Sequence, residues 1–215
     1  MSDILKRIFT VPKCKHCFNP ADRENLCDSC RDMLEKCRIK NPALPINKKI
    51  DMVNESYASY KYEKRARQVI TRAKFQNPAP FLASLLDDIS IDINRILSQN
   101  NIDMVVPVPC HKSKLYKQES DLPAEMAKRI AKHCNVPYSD CVVKLRKTEK
   151  QHNLPRNQRR ANLVNAFAVQ GDVSGRNILI IDDVITTGFT ASSVALELKL
   201  AGRNRIYVWA YTLNT

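Results

Sequence analysis

The chain has 215 residues, of which 44% are hydrophobic, and it carries a net charge of +13 at neutral pH. This length can hold one α/β domain with a small appendage. The sequence has no run of about 18 apolar residues, so we predict no transmembrane helix. The basic charge favours polyanionic partners such as phosphates, nucleic acid or an acidic membrane surface; the alternative is a merely solvated basic surface. The N-terminal residues do not resemble a secretion signal, and we expect a cytoplasmic protein.

The first chemical motif along the chain is a pair of Cys-x-x-Cys knuckles. Cys14 and Cys17 form the first knuckle, and Cys27 and Cys30 form the second after nine intervening residues. Two such knuckles can place four thiolates around one metal ion. Zinc is the expected metal because it prefers soft ligands, and a closed four-thiolate site is structural. An iron–sulfur cluster and redox-active thiol pairs are the alternatives.

The module that carries these knuckles is predicted to end in a linker. A helix is predicted over residues 28–40, and Pro42 and Pro45 then mark an extended stretch. We therefore predict an N-terminal zinc-binding module with its linker over residues 1–50 and a second domain over residues 51–215.

Strands and helices alternate through the second domain. The predicted strands cover residues 52–62, 104–106, 141–145, 165–169, 178–181 and 205–211. The predicted helices cover residues 66–73, 81–98, 121–133 and 191–201. This alternation predicts an α/β fold, with a parallel sheet, right-handed crossovers and flanking helices. Basic residues around the first of these helices are expected to lie on its non-apolar faces, namely Arg65, Arg67, Arg72 and Lys74.

A strand followed by acids and a small-residue loop is the most informative motif. Residues 178–181 are four consecutive aliphatic side chains, which suits a parallel strand buried on both faces. Asp182 and Asp183 follow, and then a loop rich in threonine leads into a helix. Hydroxyl groups, backbone N–H groups and the positive end of a helix dipole can all bind phosphate. The alternative is a tight strand-to-helix turn in which one aspartate is a helix cap.

This motif resembles the phosphoribosyl-pyrophosphate signature of type I phosphoribosyltransferases. The resemblance implies that Asp182 and Asp183 bind the ribose hydroxyls. It also implies that the 5′-phosphate is bound by Thr186, Thr187, Gly188 and Thr190.

Across most of its length, the chain is similar to the ComF family, which joins a zinc-binding segment to a phosphoribosyltransferase-like domain and is tied to DNA uptake in natural transformation. The resemblance rests on the cysteine knuckles, on Tyr57, on Lys74-Phe75, on the element 106–109 and on the spacing over residues 151–167. It implies single-stranded DNA and proteins of DNA uptake or recombination as partners. Tyrosines that are candidates for base stacking, if they are not core residues, are Tyr57, Tyr60, Tyr62 and Tyr116.

The segment after residue 109 departs from the family, whose arginine-rich block and glycine are replaced here by a lysine-rich stretch. The resemblance still implies pyrophosphate contacts, which are expected from Lys112, Lys114, Lys147 and Arg159. Lysine supplies charge without the bidentate fork of arginine, so we expect a weaker pyrophosphate half of the site. Phosphoribosyl pyrophosphate is expected to bind with Mg²⁺. Binding without turnover is the favoured prediction, and transfer of a 5-phosphoribosyl group to an unknown base is the alternative.

Overall fold

The computed structural model describes residues 13–14, 17, 19–20, 26–43, 50–110, 120–146 and 166–214. Its helices are α1 (Asp28–Glu35), α2 (Lys64–Phe75), α3 (Ala79–Asn100), α4 (Leu122–Cys134) and α5 (Phe189–Leu200). Its strands are β1 (Glu55–Lys61), β2 (Met104–Pro107), β3 (Val142–Lys144), β4 (Phe167–Val169), β5 (Asn177–Ile185) and β6 (Arg205–Leu213).

Four of these strands form one parallel sheet in the order β1-β6-β5-β2. The two central strands, β5 and β6, are covered on both faces, and all four aliphatic residues at 178–181 are fully buried. A strand buried on both faces needs no alternation of polar and apolar residues. The predicted α/β class, with a parallel sheet flanked by helices, is confirmed.

The two faces of the sheet carry separate apolar cores. Helices α2, α3 and α4 pack on one face, where Trp209 and Tyr211 of β6 are fully buried. Helix α5 packs on the other face together with the short strands β3 and β4. These two strands pair antiparallel in a ribbon of their own instead of joining the parallel sheet. The prediction of a single parallel sheet is therefore wrong for β3 and β4.

The N-terminal helix is shorter than predicted because the residues after it pair with the sheet. Helix α1 ends at Glu35, and Arg38 and Ala43 form antiparallel bridges with Tyr60 and Tyr57 of β1. β1 is an edge strand whose outer N–H and C=O groups need partners. Residues 37–43 supply them, for example through the bond from the Ile39 N–H to the Ser59 carbonyl at 2.9 Å.

The remaining predicted elements are present within a few residues of their expected ends. The largest extension is in β5, which continues through the two aspartates to Ile185 because Val184 and Ile185 pair with β6. Among the helices that the structure describes, none has both the length and the apolar character that crossing a bilayer requires.

Candidate functional site

The two aspartates of the motif lie at the carboxyl-terminal end of β5. Asp182 pairs in register with Ala210 of β6, so the acids sit in the middle of the sheet and not at its side. Asp182 is 9% exposed and Asp183 is 5% exposed. Both aspartates are therefore mostly buried near the end of the strand.

Each aspartate is held by a polar contact. The Asp182 Oδ1 atom accepts a hydrogen bond from the Asp183 N–H at 2.8 Å. The Asp183 Oδ2 atom lies 2.6 Å from the Nζ atom of Lys74, which belongs to α2. The Thr212 hydroxyl donates to the Asp183 carbonyl at 3.0 Å and so ties the strand end to β6. The geometry of the acidic pair is thus fixed from three elements.

Burial and like charge change the proton affinity of this cluster. Burial, followed by the neighbouring Asp183, raises the pKa of Asp182 to about 7, and Lys74 opposes the rise. Burial lowers the pKa of Lys74, but the charges of Asp183 and Asp182 outweigh it, so the net pKa is raised. Asp121, which precedes α4, is close enough to feel Asp183, and burial raises its pKa as well. Near neutral pH, the cluster therefore holds a charged lysine and an aspartate poised to gain or lose a proton.

The loop after β5 is more exposed to solvent than the two aspartates. Thr186 and Thr187 are exposed, and Thr190 is partly exposed in the first turn of α5. The Ser192 N–H bonds to the Gly188 carbonyl at 2.8 Å, and no side chain caps the start of the helix. The first N–H groups of a helix have no acceptor within the helix and attract anions. The exposed Thr186 and Thr187 thus come directly before the start of α5, which has no side-chain cap.

Gly188 is required where it stands for two reasons. Its φ is +75°, a conformation that side chains with a Cβ atom rarely adopt. A Cβ atom at this position would also lie 2.8 Å from the Cγ1 atom of Ile50. The glycine therefore lets the loop turn sharply against a neighbouring segment.

The expected pyrophosphate contacts Lys112, Lys114, Lys147 and Arg159 lie outside the described residues. Two of them, Lys112 and Lys114, fall in the sequence between Cys110 and Ser120, which the structure describes. β2 runs parallel to β5 and next to it, so the chain leaves both strands at the same edge of the sheet. The chain is described again from Ser120, and Asp121 lies near Asp183. The described residues on both sides of positions 111–119 are thus close together, since the Cys110 N–H donates to Asp121, and Asp121 is near Asp183.

The four cysteines of the two knuckles converge as predicted. The Sγ atoms of Cys14, Cys17, Cys27 and Cys30 all lie within 4.8 Å of one another. The Sγ atoms of Cys17 and Cys27 are 3.6 Å apart. Zinc–sulfur bonds of about 2.3 Å in a tetrahedron put sulfur atoms about 3.8 Å apart, so the four thiols fit a zinc ion.

The local backbone explains how the knuckles form. The Cys17 N–H points at the Cys14 Sγ at 3.4 Å, and the Cys14 N–H bonds to the Asn19 carbonyl. Cys27 precedes α1 and Cys30 lies in its first turn, so the second knuckle is a helix start. Burial and the neighbouring thiols hold the pKa of Cys30 well above its usual value. A metal ion reverses this preference, because it binds the thiolate form.

The tyrosines considered for base stacking are mostly core residues. Tyr57 is 4% exposed and Tyr60 is 2% exposed, so neither ring presents a face to a base. Tyr62 is partly buried, and Tyr116 lies outside the described residues. Stacking by Tyr57 and Tyr60 is therefore wrong, and the core alternative is correct for both.

Two residues of the acidic cluster were not assigned to the site from sequence. Lys74 was placed on the non-apolar faces of its helix, yet it lies four residues after Ile70 and eight after Ala66, which are both fully buried. A lysine in the buried stripe of a helix is the signal that could have identified it. Asp121 carried no such signal, because its proximity to Asp183 depends on the order of strands in the sheet.

These features define an α/β protein with a strand–acid–loop–helix motif and a four-cysteine cluster. No protein-family model matches the chain. The chain is 36% identical over 110 residues to DNA utilization protein YhgH of Escherichia coli strain K12, covering 50% of this chain and 48% of that protein. It is 28% identical over 148 residues to competence protein F of Haemophilus influenzae, covering 66% and 65%.

The chain spans about half the length of the YhgH relatives it matches. It is a homologue of YhgH and of competence protein F, and the predicted resemblance to the ComF family is confirmed. A solved structure of adenine phosphoribosyltransferase from Saccharomyces cerevisiae aligns with a TM-score of 0.42 at 14% identity, covering 87% of this chain and 89% of that one.

Proposed function

We propose that this protein binds phosphoribosyl pyrophosphate, or a related phosphoribosyl ligand, at the carboxyl-terminal end of β5. The observation that carries the proposal is the placement of Asp182 and Asp183 directly before an exposed loop and the start of α5. Acids and phosphate-binding groups then lie side by side, as the two ends of a sugar phosphate require.

Each part of the proposed site has a distinct task. The carboxylates of Asp182 and Asp183 accept hydrogen bonds from the ribose 2′ and 3′ hydroxyls. The hydroxyls of Thr186, Thr187 and Thr190 donate to the 5′-phosphate, and the dipole of α5 favours its negative charge. Gly188 permits the left-handed turn that the loop makes before α5.

Two metal ions belong to the proposal, and they differ in role. The four cysteines bind zinc in a closed structural site that keeps no open position for chemistry. Within the described part of the chain, these thiols are the only group of three or more potential ligands that are close together. Mg²⁺ is therefore proposed to arrive with the diphosphate, whose charge it neutralises.

We propose a role in DNA uptake, with contact to single-stranded DNA and to proteins of uptake or recombination. The names of the homologues, DNA utilization protein and competence protein F, support this role. The net charge of +13 supports contact with a polyanion. In the N-terminal module, Lys13 is exposed and is a candidate for contact with DNA phosphates. None of the eight cysteines, which all lie in the described part of the chain, forms a disulfide bond, and this suits the reducing cytoplasm as the proposed location.

An active phosphoribosyltransferase is the second candidate function. The same site would position the donor while pyrophosphate leaves an oxocarbenium-like ribose, and a base would attack it. Incubation with phosphoribosyl pyrophosphate, Mg²⁺ and a panel of bases separates the two candidates. Release of pyrophosphate that depends on one base favours transfer, and binding without release favours the ligand-binding role.

Calorimetry with ribose 5-phosphate and with the complete ligand tests the site. We expect ribose 5-phosphate and phosphoribosyl pyrophosphate with Mg²⁺ to bind the wild type, and Asp182→Asn with Asp183→Asn to abolish both. A matched control removes two exposed carboxylates, Asp32→Asn with Asp140→Asn, and is expected to bind like the wild type. If the variant with Asp182→Asn and Asp183→Asn bound as tightly as the control, the assignment would be refuted.

Salt titration tests the DNA part separately. Anisotropy of a labelled oligo-dT strand is expected to report affinity that falls by orders of magnitude between about 50 and about 200 mM salt, since each phosphate contact releases counterions. An affinity that does not change with salt would count against phosphate contacts while leaving the phosphoribosyl site untouched.

A further inference from the structure

Lys74 makes the closest ionic contact of the candidate site, and its position is unusual for a lysine. Its Nζ atom lies 2.6 Å from the Asp183 Oδ2 atom, and the two side chains are 24% and 7% exposed. An ammonium ion with so little contact with water is costly unless an opposite charge pairs with it. The ion pair is therefore a built part of the cluster and not a chance surface contact.

The fold directs Lys74 to this place. α2 packs on the sheet through Ala66 and Ile70, which are fully buried, and Lys74 continues the same stripe one turn later. The side chain follows the buried face of the helix until it reaches the end of β5. There, its ammonium group contacts Asp183 and is also close enough to interact with the charge of Asp182.

We propose that Lys74 is a positioning residue of the phosphoribosyl site, which fixes the Asp183 carboxylate and supplies the positive charge that lets both aspartates be ionised when ribose binds. This inference rests on the proposed phosphoribosyl function. It gives α2 a role in the site, which is otherwise built from β5, the loop after it and the start of α5.

The charges around Lys74 support this task. Asp182 and Asp183 face it from β5, Asp121 adds a negative charge from the start of α4, and Tyr62 lies before α2. Lys74 is the cation that contacts Asp183, whereas Lys128 of α4 acts on Asp121. Two adjacent carboxylates cannot both be ionised in a buried place without such a counter-charge.

The ion pair with Lys74 and the bond from the Asp183 N–H occupy one oxygen of each carboxylate and leave the second oxygen as a candidate acceptor for the ligand. Lys74 contacts one oxygen of the Asp183 carboxylate, and the Asp183 N–H contacts one oxygen of Asp182. A carboxylate has a second oxygen, with further lone pairs, that can accept a ribose hydroxyl. Lys74 therefore has no need to leave when the sugar binds, and it acts through Asp183 instead of touching the reacting atoms.

The test compares Lys74→Met, Lys74→Arg and the control Lys128→Met. Lys128 also forms an ion pair, with Glu125 at 3.0 Å, but both side chains are well exposed. Carbon-13 NMR follows the aspartate carboxyls of the ligand-free protein against pH. In parallel, calorimetry follows the affinity for phosphoribosyl pyrophosphate with Mg²⁺ over the same range of pH.

We expect the Asp182 carboxyl of the wild type to titrate near neutral pH, and affinity to rise with pH through the same range. In Lys74→Met, both midpoints move up by about one to three pH units, because a positive charge at this distance lowers a carboxyl pKa by that amount. Affinity at pH 7 accordingly falls by about tenfold or more. Lys74→Arg retains the midpoint to a large extent, and Lys128→Met leaves it unchanged.

The outcomes separate this inference from the function on which it rests. If the wild type binds no phosphoribosyl ligand, the proposed function fails, and the carboxyl titration of the ligand-free protein still decides the part of Lys74. If Lys74→Met keeps both wild-type midpoints, the inference is overturned even though the ligand binds. If Lys74→Met does not fold, nitrogen-15 NMR of the wild-type ammonium group decides. Its signal must shift with the same midpoint as the Asp182 carboxyl, and a signal that does not respond to that titration overturns the inference.

Discussion

At the scale of single residues, Gly188 carries two constraints that can be separated by experiment. Gly188→Ala is expected to lower the free energy of unfolding by about 2–4 kcal/mol, from a left-handed backbone and from crowding against Ile50. Gly171→Ala is the matched control, because its φ is +79° and no atom lies within 4 Å of the added Cβ. It is expected to lose only the backbone part, about 1–2 kcal/mol.

Urea denaturation of both alanine variants measures the difference. Equal losses at the two glycines would show that Ile50 moves aside freely, and the close approach of the loop would then have no energetic weight. A larger loss of unfolding free energy at Gly188 would show that Ile50 packs rigidly against the loop.

Asp182 makes the stability of the protein depend on pH in a predictable direction. Its pKa is about 7 in the folded protein, above the ordinary value of about 3.9 in an unfolded chain. Between these values the folded state binds more protons, so stability falls as pH rises from about 4 to about 7. The upper limit of this loss is about 1.4 kcal/mol for each pH unit between the two pKa values.

Asp182→Asn is expected to flatten that slope and to raise stability at pH 8 relative to the wild type. An asparagine can still accept the hydrogen bond from the Asp183 N–H, so the strand end keeps its geometry. Burial also raises the pKa of Asp88 to about 6, which adds a slope of the same sign. Denaturation curves over a series of pH values therefore compare the wild type with Asp182→Asn. If the stability of both changed with pH in the same way, the prediction would be contradicted.

At the scale of elements, Arg38 links the segment after α1 to the helical face of the sheet. Its guanidinium donates to Asp92 of α3 at 2.9 Å and to the Tyr60 hydroxyl at 2.8 Å. The Ser59 hydroxyl donates to the same Asp92 oxygen at 2.6 Å, and the indole of Trp209 donates to Ser59 at 3.1 Å. A mostly buried network thus connects residues from four parts of the chain.

Arg38→Met is expected to cost about 3–5 kcal/mol of unfolding free energy, because it leaves the buried Asp92 without its cation. The exposed pair of Lys128 and Glu125 gives the reference, since Lys128→Met is expected to cost at most about 1 kcal/mol. Adding Asp92→Asn to Arg38→Met should recover part of the loss. A double variant that is as unstable as the sum of the two single variants would show that the groups are not coupled.

The same elements show why some features were predictable and others were not. The consecutive aliphatic residues at 178–181 predicted β5, but its continuation to Ile185 depends on pairing with β6, which lies far along the chain. α1 was predicted to reach residue 40 because local propensity cannot register the open edge of β1. Asp92 lies within the apolar stripe of α3, between Ile89 and Ile96, and its buried partner was not visible in sequence.

The candidate site divides in the same way. The knuckle spacing predicted that four cysteines converge, since a few residues of chain determine that geometry. The acids and the threonine loop were predicted because they are contiguous. Lys74 reaches them from 109 residues away in sequence, and only the packing of α2 on the sheet brings it there.

At the scale of the whole molecule, the cysteine cluster and the sheet are joined by α1 and the segment at residues 37–43. Cys27 and Cys30 stand at the start of α1, and Leu34 near its end packs into the core shared with α2 and α3. The sheet has its own large apolar core on both faces. Loss of the metal is therefore expected to loosen α1 and to leave β5 intact.

Metal analysis of the purified protein is expected to find about one zinc per chain. Cys30→Ser should lower this content well below one, because three thiolates no longer close the tetrahedron. Cys134→Ser, which changes a partly buried cysteine outside the cluster, should leave the zinc content unchanged.

Zinc binding releases protons from thiols whose pKa is raised in the metal-free protein, so zinc affinity must fall as pH falls. Hydrogen exchange after chelation then reports the extent of the change: faster exchange in α1 with protected β5 is the expected pattern. Slow exchange in both α1 and β5 after chelation would show that α1 stays folded without a metal.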